Sequence, residues 1–216
     1  MPSLPARIQA RLCQYYGIEG EPAVDAFIDA SADTDRGERE ALLIRDGGHD
    51  LELSLRLPRS AVEASGRLSF DELCQVIEGV SHFVYVAERA RRELPTTQLE
   101  LELQAEVDKY ILFAHGPALD ARASLAASPE GARPVRFEPD RAARLRAMLF
   151  ERVTFLDPEG TEPGDRYRMA NDLAARFAGR LERRFARHGR FDQMRAALRR
   201  FYCAGQTEKI EIARAA

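Results

Sequence analysis

The tract DGGHD at residues 46–50 lies between the runs EALLIR and LELSLRL, and no other feature restricts the fold of this chain so much. Aspartate and glycine supply the backbone geometry of a tight turn, and the flanking runs carry the two-residue period of strands. Leu51, Leu53, Leu55 and Leu57 fall on one side, while Glu52, Ser54 and Arg56 fall on the other. A β-hairpin with one buried and one wet face follows. His49 sits in the turn between Asp46 and Asp50, where turn chemistry accounts for the residue types better than cation binding does.

The leucine face needs cover. Ser69 and Glu72 form a capping box ahead of an apolar stripe of Leu73, Ile77, Val80, Val84 and Ala87, which predicts a helix over 69–93. Gly79 and the β-branched run VSHFVYV weaken that helix and keep a strand there as an alternative. The run LELELQAEVDKYILFA alternates again, with Leu99, Leu101, Leu103, Ala105 and Val107 on one face. It reads as the longest strand, over 98–114, pairing with the hairpin in one antiparallel sheet.

Ser3, Pro5 and Gly17 bracket a first helix, and Ala23–Ala30 reads as a weak strand or short helix. Residues 115–138 are rich in Gly, Pro, Ala and Ser and read as linker, with a short helix at 119–127 as an option. Helical stripes follow over 139–156, over 164–188 (Ala170, Leu173, Phe177, Leu181, Phe185) and over Phe191, Met194, Leu198 and Phe201. The tail TEKIEIARAA reads as a short strand or a loose end. The expected fold class is α+β: an antiparallel sheet of three to four strands with a covering helix, followed by an all-helical C-terminal unit. The expected division is an acidic α+β unit over 1–116, a linker over 117–138 and a basic helical unit over 139–216.

Charge is divided between these halves. Residues 1–132 carry 13 basic and 23 acidic side chains, and residues 133–216 carry 19 and 12. The basic excess centres on 164–204, with 11 arginines against four acids. At helical spacing Arg176, Arg180, Arg183 and Arg187 form one line, and Arg195, Arg199 and Arg200 extend it. Such a line can meet phosphates, or it can meet carboxylates on protein. The matching acids are Glu100, Glu102, Glu106 and Asp108, which an extended strand would set in a wet row together with Glu52. Arginine supplies all but two of the 32 basic residues, Lys109 and Lys209 being the exceptions. That bias reads as GC-rich coding, which points to a bacterial source.

Signatures of chemistry are absent from the sequence. There is no P-loop, no GxGxxG after a strand, no GxSxG, no HExxH and no EF-hand loop. The three cysteines, Cys13, Cys74 and Cys203, are far apart and form no CxxC, so neither a zinc ribbon nor a disulfide framework is indicated. Glu78 and His82 lie four apart on the 69–93 helix and, with Tyr85, are expected on its exposed face. An i,i+4 Glu-His pair can couple acid to base or supply two metal ligands. No third ligand is identifiable from spacing, so neither a metal nor a cofactor is expected.

The apolar runs are far shorter than the roughly 20 residues of a bilayer span, and the N-terminus lacks the apolar core of a signal peptide, which reads as a cytoplasmic chain without a membrane partner. The function expected is a non-enzymatic protein–protein interaction module, adaptor or chaperone-like, using Arg176, Arg180, Arg183, Arg187 and the acids Glu100, Glu102 and Glu106. The alternatives are a nucleic-acid binder working through the Arg-rich helices 164–200, and an enzyme centred on Glu78 and His82. Self-association is left open.

Overall fold

The computed structural model describes residues 2–29, 39–47, 51–58, 60, 68–115 and 137–215. The chain divides into two compact units, Met1–Thr96 and Thr97–Ala216. The tip of the hairpin with His49, most of the expected linker and its optional helix lie outside the described residues.

The first unit opens with α1 (Leu4–Tyr16). Ser3 accepts the backbone N–H of Ala6, and Gly17 ends the helix at φ 69°, donating its N–H to Cys13. A 3₁₀ turn at Val24–Phe27 follows, and Ile28 then makes a parallel bridge to Leu55. Strands β1 (Ala41–Asp46) and β2 (Leu51–Arg56) pair antiparallel, with Leu42 opposite Leu55 and Ile44 opposite Leu53. The hairpin read from DGGHD is therefore present, and burial along β2 deepens toward Leu55 and Leu57.

Helix α2 (Phe70–Arg91) covers that end of the hairpin, with the Ser69–Glu72 capping box formed. Ile77, Val80, Phe83 and Val84 are buried along it, and Phe83 packs on Phe27 with ring centroids 4.9 Å apart. Gly79, which counted against a helix in the sequence, has a packing reason here. A Cβ at that position would lie 2.8 Å from Leu57 and 3.1 Å from Leu55. Its lack of a side chain lets the helix backbone sit on the strand.

The second unit corrects the sequence reading. Residues 98–115, expected as the longest strand, form helix α3 (Gln98–His115). Among the described residues the sheet holds two strands rather than three to four, and the fold is broadly α+β with most of its mass helical. The alternation of leucine and glutamate suits a strand only if one face is wet. Here the helix is buried on nearly every side, so the period carries no information about facing. Leu, Glu, Gln, Ala and Lys are also strong helix formers. Thr97 and Glu100 exchange hydrogen bonds as a capping box, at 3.2 and 2.8 Å.

Helix α4 (Pro139–Arg146) runs into a π turn at Ala147–Glu151, ending sooner than the expected 156. Helix α5 (Glu162–Arg184) lies against α3, and α6 (Phe191–Cys203) precedes α7 (Gln206–Arg214). The tail is thus a helix. Phe177 of α5 stacks on Phe201 of α6 at 4.1 Å, at the heart of a core that includes Leu173, Leu181 and Leu198. No helix among the described residues is long and apolar enough to cross a membrane.

Candidate functional site

The arginine line of α5 does not act as one surface. Arg176 forms an i,i+4 pair with Asp172 at 2.9 Å. Arg180 turns inward and donates to the carbonyls of Ile212 and Ala215, 2.7 Å each, while its guanidinium lies 5.5 Å from the Phe177 ring centroid. It therefore caps the C-terminal end of α7, where unpaired carbonyls and the helix dipole favour a cation. Arg183 and Arg187 remain exposed and have no ion-pair partner among the described residues.

Those two arginines line a cleft of about 380 Å³ in the second unit. Its walls come from α5, from Arg187 on the 3₁₀ turn Ala186–His188 that follows it, from Arg146 at the end of α4, and from Phe150 and Glu151 of the π turn. Asn171 fastens that turn to α5 by donating to the Leu149 carbonyl at 3.1 Å. Gly179 also lines the cleft, and a Cβ there would sit 3.2 Å from the Arg183 guanidinium.

Beneath the cleft lies a buried acid. Glu182 accepts a hydrogen bond from the Tyr110 hydroxyl at 2.5 Å and forms an ion pair with Arg146. Burial, followed by the Glu182 carboxylate, pushes the Tyr110 phenol far above its ordinary range. His115 packs edge-on against Tyr110 and Phe191, each ring centroid 6.1 Å away, and its Nε2 has no hydrogen-bond partner among the described residues. Burial lowers its pKa to about 4, Glu182 opposing the shift and Arg141 adding to it. Neither group is set to exchange protons at neutral pH. Sequence reasoning missed this centre, because Tyr110 and Glu182 are 72 residues apart and no local pattern links them.

The acidic row proposed as Arg partner is not formed as a wet ledge. Glu100 and Glu102 are buried on α3, the first in its capping box, and Glu106 is half-buried and pairs with Lys109 at 2.8 Å. Asp108 is buried and accepts from Gln104 at 2.9 Å. Gln104 in turn accepts from Lys209 at 2.6 Å, and Lys209 lies 4.3 Å from the Phe201 ring centroid. Glu106 and Asp108 thus serve contacts within the helical unit rather than a wet ledge.

In the first unit the expected exposed face of α2 is also revised. Glu78 and Tyr85 are buried and His82 is half-buried, since α2 is packed on more than the stripe its leucine and valine spacing marked. Glu78 and His82 do come together, with ligand atoms within 4.8 Å. Arg39 approaches Glu78 at 3.9 Å.

No family model, curated protein or solved structure matches the chain. Its functional reading rests on its own geometry.

Proposed function

We propose that this protein is a non-enzymatic binding module whose second unit receives an acidic segment of a protein partner in the cleft bordered by Arg183 and Arg187. One observation carries the reading: these two guanidinium groups are exposed at a concave site without a partner among the described residues, while the neighbouring acids are engaged. Asp172 is held by Arg176 and Glu182 by Arg146, which leaves two lining cations against the single carboxylate of Glu151. Guanidinium groups recognise carboxylates through paired, planar hydrogen bonds, and Phe150 beside them offers apolar contact.

Nucleic acid is the competing ligand, because phosphates suit the same groups. A concave pocket with a carboxylate on its wall favours a side-chain acid over a continuous polyanion. Fluorescence anisotropy with a labelled peptide of alternating Glu and Leu, set beside a labelled single-stranded oligonucleotide, separates the two. The expected result is peptide binding weakened at least about tenfold by the double substitution Arg183→Glu/Arg187→Glu, which is a loss of about 1.4 kcal/mol. Tighter binding of the oligonucleotide, falling log-linearly with salt and abolished by the same substitutions, overturns the reading.

A further inference from the structure

Two buried carboxyl groups meet at one guanidinium in the first unit, Arg91 Nε lying 3.4 Å from Glu21 Oε1 and 3.1 Å from Glu88 Oε2. Glu21, in the segment after α1, and Glu88, near the end of α2, have side chains only 3% and 2% exposed. Two carboxylates in such a place repel unless a proton or a full set of cations stands between them. The groups that face them are Cys13 of α1 and Arg91 and Arg92 of α2. Both arginines are about half exposed, and both pair with Glu88. Arg91 alone reaches Glu21, as an ion pair outside hydrogen-bonding geometry, and neither Glu21 oxygen has a hydrogen-bond donor among the described residues. The cations therefore lie closer to Glu88, and Glu21 is left as a buried acid beside an occupied carboxylate.

We propose that Glu21 and Glu88 share one proton, carried by Glu21 and donated to Glu88, and that this proton is a latch holding the segment after α1 against the end of α2. Losing it to solvent places a second negative charge beside Glu88 and loosens the segment. Burial first, then the bond to Glu88 and its charge, raises the Glu21 pKa to about 7, while Arg91 opposes the shift. The Cys13 thiol, pushed up to about 11 by burial and the two acids, stays protonated through this range. The latch extends to α1 because Gln9 ties the two together. Its amide donates to the Pro22 carbonyl at 2.7 Å and its carbonyl accepts from the Val24 N–H at 2.9 Å.

Carboxyl-carbon NMR of the full chain reads the proton directly, with Glu21→Gln and Glu88→Gln assigning the resonance. The expected result is one glutamate titrating with a midpoint near 7 and missing from E21Q. Amide protection in α1, corrected for intrinsic exchange, should fall by roughly tenfold or more as pH rises through that midpoint. E21Q keeps a hydrogen-bond donor without an ionisable proton, so its α1 protection should be flat with pH. Should that variant fail to fold, the wild-type titration still decides. The proposal is overturned if every glutamate titrates below about pH 6, or if one titrates near 7 while α1 protection stays constant.

Discussion

Glu182 in the second unit and the Glu21–Glu88 pair in the first are buried acids with opposite arrangements. Glu182 has a guanidinium and a phenolic hydroxyl directed at it, from Arg146 and Tyr110. Glu21 faces a second acid, and the arginines beside the pair hold Glu88 more closely, Arg91 reaching Glu21 only at 3.4 Å. Burial alone does not decide what a carboxyl group does. The number of donors that reach it does: Glu182 is a fixed structural anchor, whereas Glu21 answers to the surrounding pH.

The largest expected effect tests the anchor. Glu182→Ala removes the acceptor of a fully buried hydroxyl and one half of an ion pair, and should lower the stability of the second unit by about 3 kcal/mol in urea denaturation. Arg146 keeps some access to water, which holds this loss at the low end of that for a broken buried pair. A loss under about 1 kcal/mol would show that Glu182 is as replaceable as a surface acid. Tyr110→Phe removes only the hydroxyl and should cost about 1.5 kcal/mol, a typical value for a hydrogen bond to a charged group. A cost equal to that of Glu182→Ala would instead place the anchor in Tyr110.

The smallest effect is a difference in sign between the units, on the order of a few degrees in apparent Tm. Glu21 has a folded-state pKa raised from 4.5 to about 7, so its contribution is full below 4.5 and is lost as pH rises to 7. His115 is depressed from 6.5 to about 4, so its contribution is present above 6.5 and is lost as pH falls toward 4. Hydrogen exchange resolved by unit should then show residues 2–96 better protected at pH 5 than at pH 7.5, and residues 97–215 the reverse. His115→Phe should flatten the second trend alone. Parallel trends in the two units would break the comparison.

The legible parts of this fold are those that local chemistry determines. Ser3 and Gly17 bound α1, Ser69 with Glu72 opens α2, and DGGHD separates two strands, each through contacts within a few residues. The alternation of Leu99, Leu101 and Leu103 hides helix α3, whose decisive signal is the Thr97–Glu100 capping box that begins ahead of this run and ends inside it. The arginine line was legible as a line, yet its division was not. Arg180 is drawn to the carbonyls of Ile212 and Ala215, more than thirty residues away in sequence, and only that contact separates it from Arg183.

The two lysines have a consequence of their own. Lys209 is fully buried among Gln104, Phe201 and Tyr202, and Lys109 is nearly so beside Glu106. Every other basic side chain in the protein is an arginine. The chain therefore offers solvent no freely accessible side-chain amine. Reagents and enzymes that modify lysine would find no lysine side chain on the native surface until the helical unit opens. Labelling of Lys209 by such a reagent is thus a direct measure of how often that unit unfolds.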